Sequence, residues 1–473
     1  MPDWHGHTMG RVRHIHFVGI GGAGMSGIAE VLHNLGYVVS GTDLNESNTT
    51  RHLLNVGIKI NLGHHERYVN GSDVVVYSSA VPAENPELQS ARQKRIPVIR
   101  RAQMLAELMR FRSGIAVAGT HGKTTTTSLI ASLLAEGGFD PTYVIGGLLN
   151  SAGSHARLGS GKYLVAEADE SDASFHHLQP VIAVLTNIDP DHLENFGGDF
   201  TVLKHNFAEF LNRLPFYGLA VICIDNAGSR EMTTRIANSF ITYGIENEAD
   251  FTARNIRYDQ SNTEFEVCQN TPDNRFEIRL NLPGKHNILN TLAAIAVASE
   301  LGIGRDVITR ALANFQGIGR RCQILGKIQI DGKSVLLIDD YAHHPTEIAA
   351  TLAAVKSGWP GRRLLVIFQP HRYTRTRDLF TNFAEILSTV DALVLLGIYS
   401  AGETPLAGVT GATLCQAVQA KGRITPVYVE NLADIHAVLP ELVRDQDILL
   451  ILGAGCVGSL GGHMLNQYGV AIH

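Results

Sequence analysis

The stretch Val117-Ala-Gly-Thr-His-Gly-Lys-Thr-Thr-Thr-Thr127 decides the fold and gives the first functional hypothesis. It predicts a buried strand, a glycine-rich turn and a hydroxyl-rich helix start. Unpaired N–H groups at such a start point at an anion, Lys123 can reach a β- or γ-phosphate, and Thr124 can bind Mg²⁺. The turn begins at Gly119 rather than at position 117, where the general phosphate-loop pattern has glycine, which indicates a shortened loop. The alternative is a turn that binds nothing.

Composition indicates an intracellular enzyme of several domains. The chain has 473 residues, enough for about three domains. A hydrophobic content of 45% and a net charge of −6 argue against disorder and against a nucleic-acid-binding protein. Five cysteines without a C-x-x-C pair suit a reducing compartment, and no apolar run approaches the length of about 18 residues that a membrane span needs. We therefore expect a soluble cytoplasmic protein with no nucleic-acid or membrane partner.

Residues 14 to about 108 begin as a βαβ unit with a nucleotide-binding fingerprint. The predicted strand Ile15–Val18 is followed by the glycines of a G-x-G-x-x-G pattern: Gly19, Gly21 and Gly24. Asp43 follows the next predicted strand, Tyr37–Ser40, and could accept from a ribose or base. This fingerprint suits any nucleotide diphosphate and is weak evidence for nicotinamide. Ser78 and Ser79 end a further buried strand, where α/β sheets place ligands.

The second segment, from about 109 to 320, carries two acidic clusters after predicted strands. One cluster consists of Glu167, Asp169, Glu170 and Asp172, and the other of Asp189, Asp191 and His192. Parallel strands would bring both clusters to the sheet edge of Lys123. Glu167 and His192 would then complete a Mg²⁺ site with Thr124. The alternative is a pair of solvated acidic loops.

An alanine-rich helix is predicted after Pro283-Gly-Lys-His-Asn-Ile-Leu-Asn290. The spacing of His286 and Asn290 places them on one helix face, where they could contact an adenine edge or a second Mg²⁺. A helix cap is the alternative, and for Asn287 the two interpretations are equal.

The third segment, from about 321 to 473, again alternates strands and helices. The predicted strands Ser334–Ile338 and Leu364–Phe368 lead into two loops rich in histidine and arginine, with these residues: His343, His344, His371, Arg372 and Arg375. Their positive charge would face an anion. A second G-x-G-x-x-G lies at 453–458, but only 15 residues follow it, so we interpret it as strand-to-helix packing.

The motifs together resemble those of the Mur ligases, from His14 onward. They occur in this order: Gly-Thr-His-Gly-Lys-Thr, Glu-Ala-Asp-Glu-Ser-Asp, Thr-Asn-Ile-Asp-Pro-Asp-His, Gly-Lys-His-Asn, Gly-Ile-Gly-Arg-Arg, Asp-Asp-Tyr-Ala-His-His-Pro-Thr-Glu and Pro-His-Arg-Tyr-Thr-Arg-Thr-Arg. The resemblance implies an α/β fold of three domains. These are a Rossmann-like UDP-sugar domain (1–108), a central P-loop ATPase-like domain (109–320) and a Rossmann-like amino-acid domain (321–473).

The resemblance also implies an ATP-dependent, Mg²⁺-requiring ligase that joins L-alanine to UDP-N-acetylmuramate, acting as a monomer or weak homodimer. The catalytic residues would be Lys123, His343, Arg372 and Arg375. The ATP-binding residues would be Gly119, Thr120, His121, Gly122, Lys123, Thr124, Thr125, Asn290, Arg321 and Asp340. The substrate-binding residues would be Gly22, Ala23, Gly24, Met25, Ser26, Asp43, Ser78, Ser79 and Tyr341. The metal ligands would be Thr124, Glu167 and His192.

Three alternatives remain open at the level of sequence. A dehydrogenase would explain the first glycine pattern but not the loop of Lys123. A nucleotide-sensing protein would not need the His/Arg loops. A ligase that recycles murein tripeptide would share most motifs. The chain also departs from several Mur ligases, since Asn206 and Phe207 stand where those carry a carbamylated lysine; Lys204 is offset and is not assigned that role.

Overall fold

The computed structural model of the protein describes residues 9–78, 80–150, 154–170, 174–191, 193–269 and 274–469. The chain divides into two compact units. The first runs to residue 255 and includes 265–278 and 288–316, and the second comprises 256–264, 279–287 and the chain from 317 onward. Every helix within the described residues is too short or too polar to cross a lipid bilayer.

The first sheet consists of five parallel strands in the order β3-β2-β1-β4-β5. Its strands are β1 (His14–Val18), β2 (Val38–Asp43), β3 (Lys59–Leu62), β4 (Val74–Tyr77) and β5 (Val98–Arg100). The helices are α1 (Ala23–Asn34), α2 (Asn48–Asn55), α3 (Pro86–Gln93) and α4 (Arg101–Met109), with a 3₁₀ turn at Glu66–Val69. Both faces of the sheet are buried, since Ile15 and Phe17 enter one apolar cluster and Val18 another. The βαβ start is confirmed, although β2 extends to Asp43, three residues beyond the prediction.

The central sheet has ten strands in the order β15-β14-β13-β12-β11-β10-β6-β9-β7-β8. The strands are β6 (Ser113–Ala118), β7 (Thr142–Leu149), β8 (Ser154–Arg157), β9 (Tyr163–Glu167), β10 (Ile182–Leu185), β11 (Leu219–Cys223), β12 (Phe240–Gly244), β13 (Phe251–Asp259), β14 (Asn262–Gln269) and β15 (Arg275–Leu280). The helices are α5 (Lys123–Glu136), α6 (Phe200–Asn212), α7 (Ala227–Met232), α8 (Lys285–Glu300) and α9 (Arg305–Ala313), with 3₁₀ turns at Ser174–His177 and Leu193–Phe196.

One apolar cluster joins the first sheet to the central sheet within the first unit. It includes Ile15 and Phe17 of β1 together with Phe175 and Phe207, all fully buried. Residues of α4 also enter it, among them Leu105. The two sheets therefore share a core, and the boundary at residue 108 stays a prediction.

The second unit holds a six-stranded sheet in the order β16-β17-β21-β18-β19-β20. The strands are β16 (Gln323–Ile330), β17 (Lys333–Asp340), β18 (Leu364–Phe368), β19 (Ala392–Leu396), β20 (Val427–Val429) and β21 (Ile448–Leu452). The helices are α10 (Pro345–Gly358), α11 (Tyr373–Asp378), α12 (Phe380–Leu387), α13 (Gly411–Ala420), α14 (Ile435–Leu442) and α15 (Leu460–Tyr468), with 3₁₀ turns at Leu432–Asp434 and Cys456–Ser459. Only β16 pairs antiparallel among the register pairs of this sheet in the described residues.

The alternation of side chains along β17 shows how this sheet is covered. Leu336 and Ile338 enter one apolar cluster, and Val335 and Leu337 enter the other. Both faces are therefore buried, as expected for a parallel sheet with helices on each side. β17 continues two residues beyond the prediction, so Asp339 and Asp340 belong to the strand rather than to the loop.

Candidate active site

The phosphate loop connects β6 to α5 at the carboxyl edge of the central sheet. Gly119 has φ +131° and Gly122 φ +82°, in the region that favours glycine. A methyl group at Gly122 would also lie 2.5 Å from Oδ1 of Asn290. The predicted helix start at Lys123 is confirmed. The loop therefore needs glycine directly before the N-terminus of α5, because the backbone there has positive φ and Asn290 leaves no space for a side chain.

Two residues after β10 hold this loop, and sequence analysis did not assign them a role. The Thr186 hydroxyl donates to the carbonyl of His121 at 2.6 Å. The Asn187 amide accepts from the His121 N–H at 2.8 Å and donates to its carbonyl at 3.0 Å. The available signal was a polar Thr-Asn pair directly after a buried apolar strand.

Lys123 lies against Glu170, from the acidic segment that follows β9. Its Nζ donates to the two carboxylate oxygens of Glu170 at 2.9 and 2.7 Å and to the carbonyl of Gly119 at 2.6 Å. Burial raises the pKa of the Glu170 carboxyl group, but the Lys123 ammonium, which donates to both of its oxygens, opposes this rise and favours the carboxylate. Burial lowers the pKa of Lys123, but the nearby carboxylates outweigh it and raise that pKa overall. Lys123 is therefore a cation held at the phosphate loop by a buried anion.

The two acidic segments come to the edge of Lys123, as predicted. β9 and β10 both pair in parallel with β6, one on each side. Oε1 of Glu167 accepts from the N–H of Gly146 at 2.7 Å, and Thr124 is buried in the first turn of α5. His192 and Asp172 lie outside the described residues. Within the described residues, no three His, Cys, Asp or Glu side chains form a metal-binding group. The Mg²⁺ site therefore remains a prediction.

The glycine loop of the first sheet is braced by Asp43. Oδ2 of Asp43 accepts from the N–H of Gly21 at 2.8 Å, and the carbonyl of Thr42 accepts from the N–H groups of Gly19 and Ile20. α1 then begins at Ala23, and Gly22 precedes it in an extended conformation. The carboxylate predicted to bind a ribose or base thus also fixes the loop. Ser79 lies outside the described residues.

A pocket of about 260 Å³ opens beside this loop, within the first unit. Gly22, Gly24, Met25, Ser78, Arg101 and Leu105 line one side, and Val144, Ile145, Gly146, Glu167 and Asp169 line the other. Nη2 of Arg101 lies 3.2 Å from Oδ2 of Asp169, and a methyl group at Gly24 would overlap the Arg101 guanidinium. The pocket is therefore lined by the predicted diphosphate loop, by Glu167, the predicted metal-binding carboxylate, and by Asp169. Sequence analysis missed Arg101, which follows β5 directly.

The N-terminal turns of α8 carry His286, Asn287 and Asn290, as predicted. Oδ1 of Asn290 accepts from the Thr126 hydroxyl at 3.2 Å. Nδ2 of Asn287 donates to the carbonyl of Pro283 at 2.7 Å, a local contact with the turn before α8. Burial lowers the pKa of His286 to about 4, helped by Arg321, so its imidazole is neutral at pH 7.

In the second unit, the rings of the two His/Arg loops form a chain of contacts. The Tyr341 and His343 ring centroids lie 5.3 Å apart, those of His343 and His371 5.7 Å, and those of His371 and Tyr399 5.4 Å. The loops after β17 and β18 therefore converge, as the sequence predicted. The guanidinium carbon of Arg321 lies 5.2 Å from the Tyr341 centroid.

The positive charge of these loops comes from arginine rather than histidine at neutral pH. Burial lowers the pKa of His343 to about 4 and that of His371 to about 3, and Arg375 contributes to both shifts. Arg375 is 9% exposed and lies in α11, which begins after Arg372. Arg372 has φ +73°, and its N–H donates to the Tyr399 carbonyl at 2.8 Å. The predicted anion site thus depends on its guanidinium groups.

Asp340 and His344 have structural partners in the same loop. The carboxylate of Asp340 accepts from the backbone N–H groups of Cys322 and Ala342 at 2.6 and 2.7 Å, and burial raises its pKa to about 6. The side chain of His344 caps α10 by accepting from the Thr346 N–H. His344 is therefore a helix cap.

The positions at which the resemblance expects a carbamylated lysine in several relatives are occupied here by packing and hydrogen-bonding residues. Phe207 is fully buried, and Oδ1 of Asn206 lies 2.6 Å from Nε2 of His176. Lys204 pairs with Glu231 at 2.7 Å, consistent with leaving it unassigned.

The chain matches three family profiles in succession. The profile described as the Mur ligase family catalytic domain matches residues 14–113, the Mur ligase middle domain matches 117–298, and the Mur ligase glutamate ligase domain matches 320–455. The chain belongs to the Mur ligase family, with its three-domain α/β architecture and ATP as a substrate.

Individual members of the family with named activities are similar to the chain over nearly its whole length. The chain is 55% identical over 454 residues to the UDP-N-acetylmuramate--L-alanine ligase of Dechloromonas aromatica (strain RCB), covering 96% of this chain and 98% of the relative. The crystal structure of a UDP-N-acetylmuramate-alanine ligase from Thermotoga maritima superposes with a TM-score of 0.83 at 29% identity, covering 97% and 99% of the two chains. A murein peptide ligase from Psychrobacter arcticus 273-4 shares the fold, with a TM-score of 0.72 at 24% identity and coverage of 98% and 100%.

Proposed function

We propose that this protein joins L-alanine to the lactyl carboxylate of UDP-N-acetylmuramate and converts ATP to ADP and phosphate. The observation that carries the proposal is the pocket that Gly22 and Gly24 line together with Glu167 and Asp169. The glycine loop before α1, which we propose binds the UDP diphosphate, thus shares a pocket with two carboxylates of the segment whose Glu170 pairs with Lys123. The 55% identity to a ligase of this activity supports the same substrates.

The chemistry proceeds in two displacements. An oxygen of the lactyl carboxylate attacks the γ-phosphorus of ATP, and ADP leaves, which gives an acyl phosphate. The amine of L-alanine then attacks the acyl carbon, and phosphate leaves with one former carboxylate oxygen as the amide forms. The protein supplies position and charge, because anions must approach one another in both steps.

The proposed roles are those that the family resemblance implies, and the positions of the described side chains support them. Lys123 stabilises charge on the β- and γ-phosphates, and Arg372 and Arg375, with the neutral imidazole of His343, surround the transferred phosphate and the amino acid. Asn290 contacts ATP from α8 beside the phosphate loop, and the remaining nucleotide ligands are the predicted ones: Gly119, Thr120, His121, Gly122, Thr124, Thr125, Arg321 and Asp340. The glycine loop before α1 holds the UDP diphosphate.

Magnesium would be held by Thr124, Glu167 and His192. The Thr124 hydroxyl and the Glu167 carboxylate suit the ion, since Mg²⁺ prefers oxygen ligands beside substrate phosphates. Glu167 lines the pocket at the end of β9, and Thr124 follows Lys123 at the helix start. When bound, the ion would neutralise phosphate charge.

The three segments 1–108, 109–320 and 321–473 would bind the UDP-sugar, ATP and the amino acid in turn. We expect the protein to work in the cytoplasm, in the synthesis of peptidoglycan precursors, as a monomer or weak homodimer.

Substrate omission tests the proposal. The purified full chain is incubated with ATP, Mg²⁺, UDP-N-acetylmuramate and L-alanine, and ADP and phosphate are measured with each component left out in turn. Release should require both the UDP-sugar and L-alanine. Robust release with a murein tripeptide in place of L-alanine would indicate the recycling ligase instead, and turnover of a nicotinamide cofactor without ATP would indicate a dehydrogenase.

A further inference from the structure

The second G-x-G-x-x-G pattern, at residues 453–458, has no role in the proposed chemistry. We propose that it forms a cradle for the guanidinium group of Arg320, and that Arg320 is a positioning residue for Tyr341 and His343. The inference rests on the proposed function, because that proposal puts His343 beside the amino acid and the transferred phosphate.

Two of the three glycines face Arg320. The carbonyl of Gly453 accepts a hydrogen bond from Nη2 of Arg320, and Gly453 has φ +139°. A methyl group at Gly458 would overlap Nη1 and Cζ of Arg320. The middle glycine, Gly455, instead makes room for the side chains of Gln369 and Tyr399. The glycines are therefore required by close packing against Arg320, Gln369 and Tyr399. This agrees with the interpretation of the pattern as strand-to-helix packing.

Arg320 connects this cradle to the end of β17. Its Nε donates to Oδ2 of Asp339 at 3.1 Å, and Asp339 is only 4% exposed in its side chain. The carbonyl of Arg320 accepts from the Tyr341 N–H at 2.8 Å, and its own N–H donates to Oε1 of Gln323 at 2.8 Å. The residue adopts φ +59°, a left-handed conformation that is uncommon outside glycine. The neighbouring contacts therefore fix an otherwise unfavourable backbone.

The guanidinium group of Arg320 also lies over the ring of Tyr341, which in turn contacts His343. Its Cζ lies 5.2 Å from the centroid of Tyr341, and the Tyr341 ring meets the His343 ring edge-on, at 82° and 5.3 Å. His343 in turn lies 5.7 Å from His371. A change at Arg320 is thus transmitted to His343 through one aromatic ring.

Arginine suits this position better than lysine. The planar guanidinium donates in two directions at once, to Asp339 and to the Gly453 carbonyl, while its face lies over Tyr341. A lysine ammonium would keep the charge but has no planar group that could make both hydrogen bonds while lying over the Tyr341 ring.

The test uses variants that separate positioning from folding. Arg320→Gly removes the side chain but tolerates φ +59°, and Arg320→Lys keeps the charge. Gly458→Ala pushes the guanidinium out of its cradle, and Gly462→Ala, in α15 with no atom within 4 Å of the added methyl group, is the matched control. Steady-state KM is measured for L-alanine and for UDP-N-acetylmuramate.

We expect KM for L-alanine to rise about tenfold or more in the two Arg320 variants and in Gly458→Ala, since small misplacements of positioned groups have effects of this size. KM for the UDP-sugar should stay within twofold, and Gly462→Ala should match the wild type. In the Arg320→Gly background, Gly458→Ala should add little, because both changes remove the same contact.

A purely structural role would give a different pattern, with lower thermal stability but an unchanged KM for L-alanine in the folded fraction. That pattern, or additive effects of Arg320→Gly and Gly458→Ala, would overturn the proposal. If the wild type itself shows no alanine-dependent ADP formation, the proposed function fails and the positioning role falls with it. An active wild type with unaffected variants overturns the positioning role alone.

Discussion

Nζ of Lys123 lies 2.7 Å from Oε2 of Glu170, and both side chains are largely buried, at 16% and 2% exposure. The same ammonium donates to the carbonyl of Gly119. Glu170 is thus an anionic partner at the loop where we propose that ATP binds. Phosphate must either replace this carboxylate or share the lysine with it.

Lys123→Met should abolish turnover and destabilise the first unit. We expect ADP formation to fall by at least about 10²- to 10³-fold, because the charge at the transferring phosphate is lost. Breaking a buried ion pair from one side costs about 3–5 kcal/mol, so the free energy of unfolding should fall by several kcal/mol. Urea unfolding and ADP release provide the measurements.

The double variant Lys123→Met/Glu170→Gln separates the two effects. It removes both charges, so stability should recover while activity stays absent. Binding of UDP-N-acetylmuramate, measured by calorimetry, should be nearly unchanged in both variants. Loss of UDP-sugar binding would contradict the proposal that the UDP-sugar and ATP bind to different segments of the chain.

Gly122→Ala should abolish ATP binding. The substitution combines a left-handed backbone at φ +82° with a collision against Asn290. Gly138→Ala is the matched control, because Gly138 has φ +78° but no atom within 4 Å of an added methyl group. The control should lose only about 1 kcal/mol of stability and keep its ATP affinity. Equal ATP affinities in the two variants would show that the contact with Asn290 does not matter.

Arg101→Ala should weaken use of the UDP-sugar. Arg101 lines the pocket beside Gly24 and pairs with Asp169, where an anionic substrate would enter. We expect KM for UDP-N-acetylmuramate to rise about tenfold or more, since a charged hydrogen bond contributes about 1.5–3 kcal/mol. Arg110→Ala, which removes an exposed ion pair with Glu107, should leave KM unchanged. A rise in KM for L-alanine alone would place Arg101 outside the sugar site.

His343 should make stability depend on pH between about 6.5 and 4. Its folded-state pKa is lowered to about 4 by burial, whereas the unfolded chain protonates near 6.5. The unfolded state therefore binds more protons below pH 6.5, and stability falls as the pH falls through this window. Because the side chain is still 18% exposed, we expect a loss of about 1–2 kcal/mol from this residue between pH 7.5 and 5.

Comparison with His343→Gln isolates that contribution. Urea unfolding at the two pH values should show a smaller loss in the variant than in the wild type, by about 1–2 kcal/mol. Equal losses would mean that His343 titrates normally in the folded protein.

The sequence predicted the parts of the fold that depend on local pattern. Apolar runs that end in polar residues predicted β1, β6 and β18. The expected parallel pairing of β6 and β9 placed Glu167 at the same sheet edge as Lys123. Such features follow from strand periodicity and from the common direction of neighbouring strands.

Contacts between distant segments could not be predicted in this way. No spacing along the chain indicates that Glu170 binds Lys123, that Arg101 reaches Asp169, or that Thr186 holds His121. The protonation of His343 was also invisible, because burial is a property of packing. Two strand ends were placed too early because polar residues such as Asp339 can be buried when they have an ionic partner.

The most direct test of the account follows one oxygen atom. UDP-N-acetylmuramate labelled with ¹⁸O in its lactyl carboxylate is incubated with the protein, ATP, Mg²⁺ and L-alanine, and the released phosphate is analysed by mass spectrometry. Attack of the carboxylate on ATP followed by displacement by the amine predicts one ¹⁸O in each phosphate formed and one in the amide. Unlabelled phosphate formed together with the amide, with the second ¹⁸O appearing in water instead, would contradict the central claim that this protein activates a carboxylate by phosphoryl transfer.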